Sequence, residues 1–568
     1  MNFDPSAPRA YVSGPAKVRI VENGPVRVAI EVARGAEGSK FIQTVRLSAG
    51  DAGNRVEFSN SIDWKSLSAN LKAVFPLSAS NKMATYNWEV GTIQRPNAYD
   101  RQFEVASHHW IDLTDDSGSY GATILTGFKN GSDKRDNQTI RLTLLRSPGF
   151  PPGNERRGYS DQLNQDWGHH EIVFGIAGHA DDWRQGQTDW QAYRLSSPLM
   201  AFETEKHAGT LGQSFSLVTV DNPRIRVLAL KKAETSDEVI LRMVELDGKA
   251  APSVRVKFAA PITEAREVNG QELSLGSANV VDGALQTSFS AYQPRTFALK
   301  LGAAPARLND IKSQPVTLQY DLAAASEDDT KSTGGFDAKG DALPAEMLPA
   351  ELTFSGVNFK LAPAGDSKPD AVVAHGQTIQ LPAGNFNKVY ILAASSDGDQ
   401  KATFEIGKKP VEVTVEDWGG FIGQWDTRLW KPAPDTVTVH PSGPNGPAKD
   451  LPLRKNWAVS ANHATWDLSD RGSPNWSPRY PEDYLGLRPG YIKLASLAWY
   501  TSHHHTPDGL NEPYEYSYLF AYGIPLQPHT NTLTLPANSK IRILAISLAN
   551  EDPAVTPVQP LYDTLPAY

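Results

Sequence analysis

Several short phrases in this 568-residue sequence bring together side chains able to hold a sugar or an ion. The polar run Lys129-Asn130-Gly131-Ser132-Asp133-Lys134-Arg135 sets the charged groups of Lys129, Asp133 and Arg135 around a glycine, as a surface loop would. The phrase Asp166-Trp167-Gly168-His169-His170-Glu171 places an indole beside two imidazoles. Proteins grip carbohydrates by laying an aromatic ring against C–H bonds while charged and amide groups bond the hydroxyls. Lys129, Asp133, Arg135, Trp167, His169 and His170 are therefore the candidate sugar-binding residues. Trp64, Trp88, Trp183 and Trp190 widen the aromatic set, although most tryptophans of a β-sandwich belong to its core.

Two other chemistries are weighed on the same residues. In an extended strand His503 and His505 share a face, as do His169 and Glu171, so each pair offers two donors to one ion. A structural metal site normally needs four ligands, and histidines that bond loops or line a wet groove are the plainer reading, so no metal site is assigned. Retaining glycosidases need two carboxylates about 5 to 5.5 Å apart. Asp115-Asp116, Asp181-Asp182 and Glu416-Asp417 are adjacent, but neighbours in a strand point to opposite faces and neighbours in a turn face water. No catalytic residue follows from them.

The elements that must carry these groups read as strands. Residues 18–32, VRIVENGPVRVAIEV, are two β-branched runs around a short polar turn. Further runs at 41–47, 55–64, 71–75, 86–93, 109–113, 121–125, 139–145 and 171–177 lack helical periodicity between them, which predicts a large antiparallel sandwich over 1–205. The Pro-rich loop 147–165 interrupts that pattern and is long enough to cover a sheet face. A second set of runs predicts a small sandwich over 206–303, and the Ala, Ser, Asp and Gly-rich stretch 304–350 reads as a linker or flexible loop. Beyond it, GQTIQLPAGNFNKVYILAAS from Gly376 and HTNTLTLPANSKIRILAISLA from His529 repeat one phrase, and predict related edges of a jelly-roll-like, carbohydrate-binding sandwich over 351–568. The fold class is all-β.

Composition narrows the function. Acidic residues outnumber basic ones 64 to 55 and the two are mixed along the chain, so no stripe exists to neutralise phosphates, and nucleic acid is not an expected partner. No window has the roughly 18 apolar residues of a membrane helix, and no membrane partner is expected. The sequence starts with neither a basic nor an apolar leader segment. The absence of cysteine removes disulfides, thiolate nucleophiles and thiolate zinc sites, and suits cytoplasm and periplasm equally, so the compartment stays open. Neither a phosphate-binding loop, a dinucleotide fingerprint nor a Gly-x-Ser-x-Gly elbow occurs.

Ordered phrases then carry a family resemblance. Ile62-Asp63-Trp64, Leu71-Lys72-Ala73-Val74-Phe75-Pro76, Gly91-Thr92-Ile93-Gln94-Arg95-Pro96, His109-Trp110-Ile111-Asp112-Leu113-Thr114-Asp115 and Leu142-Thr143-Leu144-Leu145-Arg146-Ser147-Pro148 follow one another. After them come Asp166-Trp167-Gly168-His169-His170-Glu171, Gly178-His179-Ala180-Asp181-Asp182-Trp183, the run VLALKKAETSDEVILRMVEL at 227–246, and Tyr292-Gln293-Pro294-Arg295-Thr296-Phe297. Together they resemble the C-terminal β-rich region of glycoside hydrolase family 38, the α-mannosidases. Trp425-Asp426-Thr427-Arg428 and Trp499-Tyr500-Thr501-Ser502-His503-His504-His505 are similar to a tail of bacterial members.

The resemblance implies a galactose-mutarotase-like super-sandwich that supports a catalytic domain and helps to hold mannose-containing glycans, with the 129–135 loop facing that domain. It also implies that zinc and the nucleophilic aspartate belong to the catalytic domain, in cis or in trans. No residue here takes over those roles, and no cofactor is expected in this chain. The parent enzyme would be periplasmic or extracellular. An apolar patch is expected on the N-terminal sandwich, where the catalytic domain would pack, and none from about Ala303 onward. The alternatives are an autonomous, non-catalytic carbohydrate-binding protein, and a lyase or mutarotase using His108-His109 or His169-His170-Glu171.

Overall fold

The computed structural model describes residues 8, 10–66, 69–99, 102–147, 166–204, 206, 209, 211–304, 311–365, 368–424, 427–430, 436–439, 447, 449–452, 484–488, 490–527, 530–551 and 555–559. Two compact units result, Met1–Leu199 with Thr210–Ala306 and Asp426–Arg488, and Met200–Gly209 with Arg307–Trp425 and Pro489–Tyr568. The loop expected at 147–165 lies outside the described residues apart from Ser147, as do Trp425 and Asp426 of the tail phrase. No helix among the described residues is long and apolar enough to cross a membrane.

The first unit opens with thirteen strands: β1 (Lys17–Asn23), β2 (Arg27–Ala36), β3 (Ser39–Ser48), β4 (Val56–Trp64), β5 (Asn70–Pro76), β6 (Met83–Trp88), β7 (Gly91–Pro96), β8 (Val105–Ala106), β9 (Trp110–Thr114), β10 (Tyr120–Leu125), β11 (Gly131–Lys134), β12 (Thr139–Arg146) and β13 (Gly168–Ala180). They form a nine-stranded sheet, β1-β2-β3-β4-β13-β10-β9-β6-β7, and a four-stranded sheet, β5-β12-β11-β8. Alternation fixes which side of each strand is buried: Phe58, Ile62 and Trp64 of β4 and Ile172 and Phe174 of β13 turn toward Phe75, Ile140 and Leu142 of the smaller sheet. Phe174 stacks on Phe58 with ring centroids 5.0 Å apart and meets Phe75 edge-on at 5.8 Å.

That apolar side continues past the core. The register aligns Ile20 with Ile30, Ile30 with Val45, Val45 with Phe58 and Phe58 with Phe174 in one row across five strands. Along it, Phe174 is 3% exposed, Ile30 42% and Ile20 70%. Val18, Val28 and Leu47 on the same side are also exposed. The opposite side of β1 to β3 carries charge, with Arg19 bonded to Glu31 and Arg27 to Glu22.

After the helix Thr188–Ser196, a small sandwich pairs the five-stranded sheet containing Ile225–Lys232, Val239–Glu245 and Pro294–Leu301 with a four-stranded sheet containing Ala251–Phe258 and Ala284–Phe289. Leu241, Met243, Val256, Leu285, Phe297 and Leu299 fill the space between them.

The second unit is also a sandwich. Its six-stranded sheet centres on Ala537–Asn550 and Lys388–Ser395, and Thr378–Gln380, Thr532–Thr534, Gln400–Ile406 and Lys409–Val415 form a four-stranded sheet. The two repeated phrases pair with one another: Thr378–Gln380 with Thr532–Thr534, and Lys388–Ser395 with Ala537–Asn550. Thr378–Gln380 is an edge strand, as the sequence suggests, whereas Lys388–Ser395, Thr532–Thr534 and Ala537–Asn550 lie inside their sheets.

The linker expected at 304–350 is corrected for its described part. Lys312–Val316 is a strand of the six-stranded sheet, with Val316 opposite Ile546, and Ala324, Ala325, Phe336 and Leu343 are buried in the same core. Phe336 stacks on Trp418 at 4.6 Å, and the Asp370 carboxylate accepts the backbone N–H groups of Ala324 and Ala325. Widely spaced apolar residues in a polar stretch suffice to bind it to a core. The expectation of no apolar patch in this region also fails, since Phe421, Tyr491, Ile492 and Leu494 are exposed on adjoining segments.

Phe336→Ala should lower stability by about 3 to 5 kcal/mol, the usual cost of emptying an aromatic core position. The shift of the denaturation midpoint measures this, and a linker residue would leave it unchanged.

Candidate functional site

The six candidate sugar-binding residues divide into internal and surface groups. Asp133 lies in strand β11, opposite Arg141 of β12, so residues 131–134 are not the surface loop expected. Its carboxylate is 2.6 Å from the Arg141 Nε and 2.9 Å from the Lys72 Nζ, and all three side chains are largely buried. The neighbouring Lys134 turns its ammonium inward to the carbonyls of Asn81 and Asp136, and burial lowers its pKa to about 8. Trp167 is 1% exposed and donates its indole N–H to the Ser66 carbonyl. Asp133 and Trp167 are thus corrected to internal groups, because neither presents a face to a ligand.

Lys129, Arg135, His169 and His170 reach the surface to different degrees. Lys129 is half-buried beside Asp166; desolvation lowers its pKa and the Asp166 charge opposes the shift. His170 Nε2 lies 2.8 Å from the Asp166 carbonyl. His169 sits between two carboxylates, with Nδ1 2.9 Å from Asp63 and Nε2 2.7 Å from Glu171. Burial pulls its pKa down, but those two partners outweigh it and raise the pKa. With both ring nitrogens engaged, His169 and Glu171 form an ion-pair chain instead of the two-donor set their spacing suggests.

Among the candidate tryptophans, Trp64 and Trp183 are buried as well. Trp88 stays 42% exposed at the end of β6, flanked by His108 at 5.2 Å and by the Arg95 guanidinium at 5.3 Å. Trp190 is partly buried and donates its indole N–H to the Pro223 carbonyl.

Sequence reasoning assigned no role to Asp112 and His179, which lie almost fully buried 2.7 Å apart. Thr123 and Thr114 donate hydroxyl protons to the same carboxylate, and Thr123 also meets Thr188 at the start of the helix. Desolvation lowers the His179 pKa, but the hydrogen bond and charge of Asp112 outweigh it and raise the value. Nearby, Trp110 donates to Asp189, whose pKa burial raises to about 6. The only signal for this network was that Trp110, Asp112, Thr114 and His179 fall inside the family phrases; Thr123, Thr188 and Asp189 do not. Trp183, Arg184, Asp189, Trp190, Arg224 and Asp247 line a cleft of about 110 Å³ beside it. This is well below the roughly 300 to 1,000 Å³ of small-molecule sites.

The adjacent carboxylates serve turns. Asp115 accepts hydrogen bonds from Ser117 and from the Ser80 backbone, which lower its pKa to about 2, and Asp182 pairs with Arg184 at 2.8 Å. Glu416 accepts from the Leu494 backbone while Asp417 accepts from that of Gly419. In the second unit His503 and His505 come together with Asp328 and Glu346, all four donor atoms lying within 4.8 Å of one another. The sequence offered the histidine alternation but not its acidic partners.

Comparison with known proteins follows this geometry. Residues 2–154 match the glycosyl hydrolases family 38 C-terminal domain and residues 224–297 the family 38 C-terminal beta sandwich domain, whereas 312–552 match the AziU2-like beta-sandwich domain. Alpha-mannosidase 2C1 of Mus musculus is 27% identical over 260 residues, which are 44% of this chain and 24% of that protein. Alpha-mannosidase of Saccharomyces cerevisiae is 31% identical over 180 residues, 30% of this chain and 15% of its own. A solved α-mannosidase from Enterococcus faecalis V583 aligns with 17% identity and a TM-score of 0.42, over 50% of this chain and 35% of that one. The chain carries a family 38 C-terminal β-rich region, and spans about a quarter of the length of the first curated relatives it matches.

Asp133→Ala should cost up to about 3 to 5 kcal/mol, since it removes the buried carboxylate that pairs with both Lys72 and Arg141. Equilibrium denaturation measures this, and an unchanged midpoint would return Asp133 to the list of surface groups. The raised His179 pKa gives a stabilisation that is complete below the unfolded imidazole value of about 6.5 and lost as pH rises through the higher folded value. The denaturation midpoint should fall over that window, and fall less in His179→Gln.

Proposed function

We propose that the first unit is the supporting part of an α-mannosidase-like glycoside hydrolase, built to pack against a catalytic part supplied in cis or in trans. The observation that carries this reading is the apolar row Ile20–Ile30–Val45, continuous with the core through half-buried Val45 yet open to solvent at Ile30 and Ile20 among the described residues. Exposed aliphatic residues on one face of a strand, opposite a charged face, are the pattern of a sheet that expects a covering layer. Interfaces between domains bury roughly 600 to 1,500 Å², a size that three strands can supply.

On this reading the chemistry, including the zinc ion, belongs to the catalytic part, while this chain supplies its platform. The glycan contact falls to exposed groups, with Trp88 as the aromatic platform and Lys129, Arg135 and His170 as surface polar groups.

Sedimentation velocity over a range of concentrations tests the open face. The purified chain should self-associate as concentration rises, and Ile20→Asp with Val28→Asp should shift it toward monomer while leaving its circular dichroism unchanged. A wild-type chain that stays strictly monomeric at every concentration would mean that this face evolved to meet water.

A further inference from the structure

We infer that the second unit holds a divalent transition-metal ion at His503, His505, Asp328 and Glu346. The strand Ser496–His505 alternates, so Trp499, Thr501, His503 and His505 address one side. On that side lies the short turn Ala345–Met347, fixed by the Trp499 indole N–H on the Met347 carbonyl and by the contact of Thr501 with the Met347 sulfur. Glu346 is thereby held against the two imidazoles. Asp328 arrives on the polar run 326–332, which the backbone bonds Asp329 N–H to Gly509 and Ser332 N–H to Pro507 tie down.

The distances fit coordination better than hydrogen bonding. His505 Nε2 lies 3.2 Å from Asp328 Oδ1 and 3.5 Å from Glu346 Oε1, and His503 Nε2 lies 3.5 Å from the same Glu346 oxygen. A tetrahedral zinc ion with bonds of roughly 2.0 to 2.1 Å separates its donors by about 3.3 to 3.4 Å. Although carboxylate oxygens are this close, neither Nε2 makes a hydrogen bond, and both are buried atoms. His505 has no exposed surface, so an unused ring nitrogen there is costly unless something binds it. Its other nitrogen, Nδ1, lies 3.0 Å from the Ser326 hydroxyl, and the tautomer that donates Nδ1–H to this hydroxyl leaves the Nε2 lone pair directed at the cluster. Reciprocal backbone bonds between His505 and Ala342 keep the ring in place.

Two imidazole nitrogens with two carboxylate oxygens suit Zn²⁺ and neighbouring divalent transition ions better than Mg²⁺ or Ca²⁺, which prefer all-oxygen sets. The carboxylates of Asp328 and Glu346 are 57% and 37% exposed, so an ion can enter from solvent on their side. Once bound, it would staple the 326–347 segment to the end of the strand Ser496–His505.

The test is metal analysis of the purified full chain after incubation with ZnCl₂ and dialysis, alongside thermal unfolding with Zn²⁺ and with EDTA. About one Zn²⁺ per chain should remain, the unfolding temperature should rise with Zn²⁺ and fall with chelator, and Co²⁺ in its place should give the visible absorption of a four-coordinate site. Glu346→Gln and Asp328→Asn change partly exposed groups that leave the core intact, and each should weaken Zn²⁺ binding roughly tenfold or more. His503→Asn should do the same, while His504→Gln, on the opposite side of the strand, should bind as the wild type does. Absence of retained metal in the wild type would overturn the site. So would a bound ion whose affinity is unchanged in the Asp328→Asn, Glu346→Gln double variant, since it would then be held elsewhere.

Discussion

A sheet with one apolar face is most stable with that face covered, and among the described residues the first unit covers it over only part of its nine strands. The four-stranded layer and its aromatic contacts, Phe75 on Phe174 and Phe174 on Phe58, cover the region around β4 and β13. The row through Val45, Ile30 and Ile20 then leaves the core still aliphatic. At about 25 cal/mol for each Å² of apolar surface removed from water, covering such side chains contributes favourably to docking of a second body. The proposed role of the unit follows from this uncovered stretch.

The charged groups inside the unit have a different task. Asp133 with Lys72 and Arg141, Lys134 with backbone carbonyls, and Asp112 with His179 and two threonines all satisfy polar atoms within or beside the sandwich. Buried ion pairs add little net stability compared with apolar packing, yet removing one member is costly because its partner is left charged and dry. They fix strand register and anchor the helix Thr188–Ser196, so that the surface groups, Trp88 among them, stand on a rigid support.

How much the sequence disclosed depended on the range of each interaction. Alternation within β1 to β4 is local, so strands and their apolar sides were legible from residues two apart. The polar run 129–135 misled because Asp133 is neutralised by Lys72, some sixty residues away, and by Arg141 across a strand pair; a surface loop and a buried ion cluster have the same composition. The linker reading of 304–350 failed for a similar reason, since Phe336 and Leu343 are too sparse to form a periodic pattern yet meet Trp418 and the core of the second sandwich. His503 and His505 were visible as a pair one strand repeat apart. Asp328 and Glu346 were not, because topology and not spacing brings them to the same place.

The central proposal is that the first unit supports a glycoside hydrolase whose chemistry belongs to a separate catalytic part. The most direct measurement is hydrolysis of an aryl α-mannoside by the purified chain, with Zn²⁺ and with chelator. The account predicts release no faster than the uncatalysed background in both conditions. Turnover at an enzyme-like rate that follows the concentration of the chain would contradict it, and would place a catalytic site among the residues assigned here to support.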